Sequence, residues 1–140
     1  MPSPWPDSLI LAPLTKGGNL PFRRLCVDFG AVVTMSEMAF AGPLVRGLRK
    51  ELALLRKGPT EPCFGVQLAA SKPETAIPAA RAALERGAAF IDLNAGCPIP
   101  EAVHKGMGAY LLDRPRHLER ILQEMTRALD FFPGVDRTEG

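Results

Sequence analysis

The sequence has few of the features that mark the more easily recognised classes of protein. Its 140 residues hold three cysteines, Cys26, Cys63 and Cys97, odd in number and widely spaced. Neither a disulfide framework nor a four-ligand zinc site follows from them. The two histidines, His104 and His117, share no ligand spacing with each other or with cysteine. Both read as surface residues of helix-forming segments, and no metal is assigned. No apolar stretch approaches the roughly 20 residues that span a bilayer. Met1 to Asp7 lacks both the basic region and the apolar run of a signal peptide. No membrane partner is expected, and a cytoplasmic location is. Charge of either sign is in small excess only: the formal net charge of +2 neither identifies nor opposes a nucleic-acid partner. What remains is ordinary globular usage, 46% hydrophobic and 23% charged, which can bury one core in at most one domain.

Apolar runs and stop signals alternate along the chain. Leu9 to Ala12 is a short apolar run stopped by Pro13, as a buried parallel strand looks. Asn19 is placed to cap a helix with Pro21 in its first turn, Phe22, Leu25, Cys26 and Phe29 on its apolar face, and Gly30 as its stop. The rhythm recurs: strand at 32–35, helix at 44–57 ending at Gly58, strand at 64–68, helix from Pro73 to Gly87, strand at 90–93. A short helix at 101–104, a turn with Gly106 and Gly108, and an amphipathic helix with Leu118, Ile121, Leu122, Met125 and Leu129 on one face follow. Four strands alternating with helices predict an α/β fold with a parallel sheet, either doubly wound or part of a (β/α)8 barrel. Residues 1–8 read as an N-terminal extension. A fifth strand is expected after Asp130, yet 131–140 carries two turn signals and no apolar alternation, and reads as a divergent tail.

In either architecture ligands bind where the loops leave the C-terminal ends of the strands. That selects Pro13, Leu14 and Thr15; Ser36, Glu37 and Met38; Gln67 to Ala70; and Asn94 to Pro98. Within the last segment Gly96 permits close backbone approach and Pro98 fixes the chain, so Cys97 sits on a rigid turn. Three roles fit Cys97: a small packed thiol, a proton donor, since a thiol with pKa near 8.5 is mostly protonated at neutral pH, or a nucleophile where that pKa is lowered. Gln67 and Glu37 suit either a planar heterocycle or a neighbouring loop, and Asn94 either a base edge or its own loop. Lys105 beside Gly106 and Gly108 lies where a phosphate could approach, but the Walker pattern is absent. Cys26 and Cys63 read as core residues. The basic run Arg46, Arg49, Lys50, Arg56 and Lys57 reads as a solvated helix face.

Taken together, five segments resemble the tRNA-dihydrouridine synthase family: residues 11–15, 20–26 and 37–38, the strand Phe64-Gly65-Val66-Gln67-Leu68, and Ile91-Asp92-Leu93-Asn94-Ala95-Gly96-Cys97-Pro98 followed by 105–109. The wording is most similar to the branch acting on the variable-loop uridine. The resemblance implies the N-terminal half of an FMN-binding TIM barrel over residues 9–130, about four of its eight βα units. It implies reduction of a tRNA uridine to 5,6-dihydrouridine, with FMN as flavin and NADPH or NADH as reductant. By the same resemblance Cys97 is the proton donor, Pro13, Leu14, Thr15 and Gln67 line the flavin, and Asn94 and Lys105 meet the substrate. The Lys-bearing and His-bearing strands and the phosphate loops of the family are not found in these 140 residues. Two alternatives therefore accompany the expectation: a non-catalytic half-barrel that self-associates or binds a partner, and a barrel reductase of a small molecule.

Overall fold

The computed structural model describes residues 7–129, whose backbone combines four short strands with six helices and a 3-10 turn. In chain order these are α1 (Leu20–Asp28), β1 (Val33–Met35), β2 (Ala39–Phe40), α2 (Ala41–Val45), α3 (Arg49–Leu54), β3 (Cys63–Ala69), α4 (Pro73–Glu85), β4 (Phe90–Leu93), α5 (Pro100–Val103), a 3-10 turn (Gly108–Leu111) and α6 (Pro115–Leu129). Asn19 caps α1 as its position predicts, the side-chain oxygen accepting from the Phe22 amide at 3.1 Å. The expected ends of tail and extension, residues 130–140 and 1–6, lie outside the described residues.

Every strand pairing is parallel. β4 runs along one edge of β3, with Gln67 opposite Asp92, while β1 and then β2 run along the other, with Met35 opposite Gly65 and Ala39 opposite Leu68. Ile10 adds one parallel bridge to Val33. With β1 and β2 sharing one edge of β3, the order across the sheet is Ile10, then β1 with β2, then β3, then β4.

Side chains alternate across a strand, so β3 divides its residues between two layers. Phe64, Val66 and Leu68 share one core with Ala76, Ala79, Ala80 and Ala83 of α4 and with Ile121 and Met125 of α6. A row of alanines lets the α4 backbone come close to the sheet, and each large side chain buried beneath it contributes about 1.5–3 kcal/mol. Gly65, Gln67 and Ala69 face the other way, alongside Phe90 and Asp92 of β4.

Four expectations need correction. The first strand is reduced to the Ile10 bridge, flanked by bonds from Leu11 N–H to the Val33 carbonyl at 2.9 Å and from Val32 N–H to the Leu9 carbonyl at 3.0 Å. Pro13 has no N–H with which to extend the ladder. The single helix expected at 44–57 is two, because Gly47 at φ 76° closes α2 and extended Leu48 starts α3. Apolar spacing runs across this break since Leu44 and Leu55 enter one core, and it conceals both the break and β2. In α1 the buried residue is Arg23, while Leu25 is exposed and Phe29 is 80% exposed. The cause is an ion pair: Arg23 is drawn inward by Glu61, as described below. In α6, Leu122 lies outside the core, beside an open apolar hollow of about 280 Å³ along β4, with Leu84, Phe90 and Leu129.

Candidate functional site

The strands end in a polar seam built on the face of β3 turned away from α4. Gln67 and Asp92 are register partners, so their side chains meet directly, Gln67 Nε2 donating to Asp92 Oδ2 at 2.6 Å. On its other side Gln67 Oε1 accepts from Asn94 Nδ2 at 3.0 Å. Asn94 Oδ1 in turn accepts from the backbone N–H of Cys97 at 2.9 Å and of Gly96 at 3.2 Å. Asn94 and Gly96 thus form an Asx-type turn, in which a short amide side chain holds its own loop, and the same oxygen holds Cys97 one residue further on.

The seam continues toward the first loop. Ser36 Oγ accepts from the Gln67 backbone N–H at 3.0 Å and donates to the Glu37 carbonyl at 2.8 Å. The Glu37 carboxylate accepts from Lys16 N–H at 2.6 Å, and the Leu14 carbonyl accepts from Gly17 and Gly18. Hydrogen bonds of Glu37, Ser36, Gln67 and Asn94 therefore link the loop carrying Pro13, Leu14 and Thr15, residue by residue, to Cys97. Of the two roles open to Glu37, the structure assigns the satisfied loop. Leu14 and Thr15 are exposed and Pro13 is half-buried at the mouth of the seam.

Cys97 is half-buried against Met38, Ala69, Ala102 and Met107. Its carbonyl accepts from the Ala109 N–H at 2.9 Å. Gly108, at φ 61°, lies so close to that carbonyl that a Cβ there would collide with it. The Cys97 backbone is thus fixed from two sides, by Asn94 before it and by the 106–109 turn after it. Lys105 stands at the rim, 3.2 Å from Glu101 and with its ammonium 5.3 Å from the centre of the Phe40 ring. A surface pair of this kind is weak and leaves the ammonium available to an anion.

The remaining cysteines are elsewhere. Cys26 lines an apolar hollow of about 160 Å³ with Leu9, Leu11 and Phe29. Cys63, expected just before a strand, is the first residue of β3, at the end away from the seam. Burial pushes its thiol up, with the nearby Lys57 ammonium acting in the opposite sense. His117, read as a surface residue, is half-buried, its Nε2 2.6 Å from the Ser71 carbonyl, and ties α6 to the loop after β3. Among the described residues no three of His, Cys, Asp and Glu gather to hold a metal. No helix among them is long and apolar enough to cross a membrane.

Two groups escaped the sequence reading. Asp92, inside an apolar strand, is the terminal acceptor of the seam; a carboxylate two residues from Asn94 and in register with Gln67 becomes a signal only once strand register is known. Arg23 and Glu61 form a buried pair at 2.7 Å, and Thr34 Oγ1 donates to the same carboxylate at 2.7 Å. Arg23 also donates to the Gly18 carbonyl at 3.0 Å and so holds the base of the first loop. Glu61 sits 38 residues away in a loop without periodicity, and nothing in spacing connects the two.

Comparison with known proteins places this seam in context. The model of the dihydrouridine synthase (Dus) family matches residues 10–135. The chain belongs to the dihydrouridine synthase family. A protein of Cryptococcus neoformans var. neoformans serotype D (strain B-3501A) named tRNA-dihydrouridine(47) synthase is 47% identical over 134 residues, covering 92% of this chain and 18% of that protein. Proteins named tRNA-dihydrouridine(47) synthase-like are 45% identical over 144 residues in Oryza sativa subsp. japonica and over 124 residues in Rattus norvegicus. These matches cover 95% and 87% of this chain, and 21% and 19% of the relatives. All three names include NAD(P)(+). The chain spans about a fifth of the length of the relatives it matches. Within this Dus segment lie the whole seam and the Cys97 turn.

Proposed function

We propose that the chain carries part of the active site of a tRNA-dihydrouridine(47) synthase. In this reading it is the N-terminal part of a (β/α)8 barrel that binds FMN and takes reducing equivalents from NADPH or NADH. The parallel order of Ile10, β1 with β2, β3 and β4 across the sheet supports a barrel over a doubly wound sheet, whose order reverses at a switch point. The observation that carries the functional reading is the seam joining Gln67, Asn94 and the Cys97 turn.

The side chains suit one side of a planar heterocycle. Among the described residues Gln67 keeps one further N–H and one further lone pair beyond its two bonds, and Asn94 keeps one further N–H. Flavin and uracil rings present in-plane donors and acceptors of matching kind. Bound FMN would supply hydride to C6 of the uracil, replenished from the nicotinamide.

The chain's own residues do the rest. Gln67 and Asn94 orient ring edges, and Pro13, Leu14 and Thr15 wall the flavin side. Cys97 holds a proton at Sγ and delivers it to C5 as charge builds there, completing the 5,6-dihydro product. Met38, Ala69, Ala102 and Met107 keep water from the thiol's inner side. Lys105 meets a phosphate of the RNA. To reach the pocket the uridine must leave its stack.

The test is Cys97→Ser in a protein that includes this chain and the remainder of its barrel. Flavin absorbance is expected to stay, while dihydrouridine formation falls about 10²–10⁴-fold, the usual worth of a positioned general acid. Unchanged dihydrouridine formation overturns the assignment of Cys97. Turnover of free uracil with indifference to tRNA overturns the substrate in favour of a small molecule.

A further inference from the structure

We propose that Asp92 is a positioning residue, which sets the amide orientations of Gln67 and Asn94 and through them the Cys97 turn. The proposal rests on the reading above for what the seam serves, but its geometry stands apart from it.

A carboxylate is acceptor-only, so Asp92 Oδ2 can meet only the Nε2 end of Gln67. With Nε2 committed, Gln67 presents Oε1 to Asn94, and Asn94 must then answer with Nδ2. That leaves Asn94 Oδ1 for the backbone N–H groups of Gly96 and Cys97, which are donors only and demand that same polarity. Both ends of the chain of bonds thus require one arrangement. Flipping either amide would oppose two donors or two acceptors at each junction.

The consequence is specific to the pocket. With the polarity fixed, the further N–H and lone pair of Gln67 and the further N–H of Asn94 have fixed senses toward whatever ring lies against them. In-register pairing of β4 with β3 holds Asp92 in place from the backbone, which makes it the rigid end of the seam. Asp92 acts through Gln67 rather than on a ligand.

The experiment uses the 140-residue chain and reads the side-chain amides by nitrogen-15 NMR, together with site-resolved alkylation of its three cysteines by iodoacetamide. In the unsubstituted chain the Gln67 and Asn94 NH₂ groups are expected to exchange slowly with solvent. Finding both averaged and exchanging like exposed amides overturns the proposal without any variant. In Asp92→Ala, both amides are expected to lose protection. Cys97 should then alkylate about fivefold faster, the factor that corresponds to one net hydrogen bond of about 1 kcal/mol, while Cys26 and Cys63 are unchanged. Asp92→Asn, which keeps an oxygen acceptor in place, is expected to restore the slow rate. Asp92→Ser, too short to reach Gln67, replaces the alanine variant if that one does not fold. Loss of protection at Gln67 alone, with Asn94 and the Cys97 rate unchanged, overturns the relay. Titration with FMN of a protein that includes this chain and the remainder of its barrel reports the functional reading separately: absent flavin binding there counts against that reading and leaves the amide result standing.

Discussion

Two polar clusters sit in this small fold, and they are built on opposite plans. In the first, Arg23 and Glu61 are 2% and 3% exposed, and nearly every valence is consumed. Glu61 accepts from Arg23, Thr34 and the Gly58 N–H, and Arg23 further donates to the carbonyls of Gly18 and Arg56. In the second, Asp92, Asn94 and Cys97 are half-buried, and the Gln67 and Asn94 amides keep donors and acceptors in reserve. A charged cluster with no spare capacity and no access to solvent can only hold structure. A neutral amide pair with spare capacity at the ends of parallel strands can also meet a ligand. The two clusters are joined by the first loop: Arg23 holds its base through Gly18, and Glu37 holds Lys16 beside the seam.

The sharpest way to break this contrast is to open the closed cluster. Glu61→Ala leaves the Arg23 guanidinium buried without its counter-charge, and the expected loss is about 3–5 kcal/mol in urea denaturation. The double variant Arg23→Met with Glu61→Leu removes both charges and should recover most of that loss, because well-packed apolar groups commonly replace a buried pair at little cost. A single variant that costs under about 1 kcal/mol would show the cluster to be far less closed than its hydrogen bonds imply.

How much of this was visible beforehand differs between the clusters for a physical reason. The seam lies on segments with strong local signals: the strand at 64–68, the strand at 90–93 and the Asn94 to Pro98 turn, each legible from short-range pattern. Gln67, Asn94 and Cys97 followed from the rule that ligands gather at strand ends. Asp92 did not, since its part depends on register between two strands. The Arg23–Glu61 pair depends on tertiary contact alone, and an arginine on a helix with Phe22, Leu25 and Phe29 reads as a solvated residue. The correction at α1 has the same cause, since the apolar spacing of Phe22, Leu25 and Phe29 points to the core and nothing local marks Arg23 as the buried residue. The break at Gly47 was missed for the opposite reason: a helix-like apolar spacing persisted where the backbone did not.

Acid provides a graded version of the same test. Burial opposes ionisation of Glu61, but bonds from Arg23, the Gly58 N–H and Thr34 prevail and hold its carboxyl below the usual value of 4.5. A carboxyl whose folded pKa is lowered stabilises the fold in full above the unfolded value. That contribution fades as pH falls from about 4.5 through the lower folded value. Urea midpoints measured from pH 6 to pH 3 should therefore drop across this window in the unsubstituted chain. The drop should shrink in the double variant, which carries no carboxyl at position 61. Equal slopes in the two proteins would separate the acid sensitivity from this cluster.

The smallest stability effect is expected at the open cluster, and it is the most informative about the contrast. Gln67→Met keeps the approximate shape of the side chain and removes both its bonds. Asp92 and Asn94 are half-exposed, so water can take the places that Gln67 leaves, and the cost should stay within about 1 kcal/mol. Under the proposed function, flavin retention and dihydrouridine formation in a protein carrying the remainder of the barrel should nevertheless fall together, since Gln67 is there the amide that meets the ring. A loss of stability as large as that of Glu61→Ala, with flavin retained, would reverse the assignment of the two clusters: the seam would then be the staple.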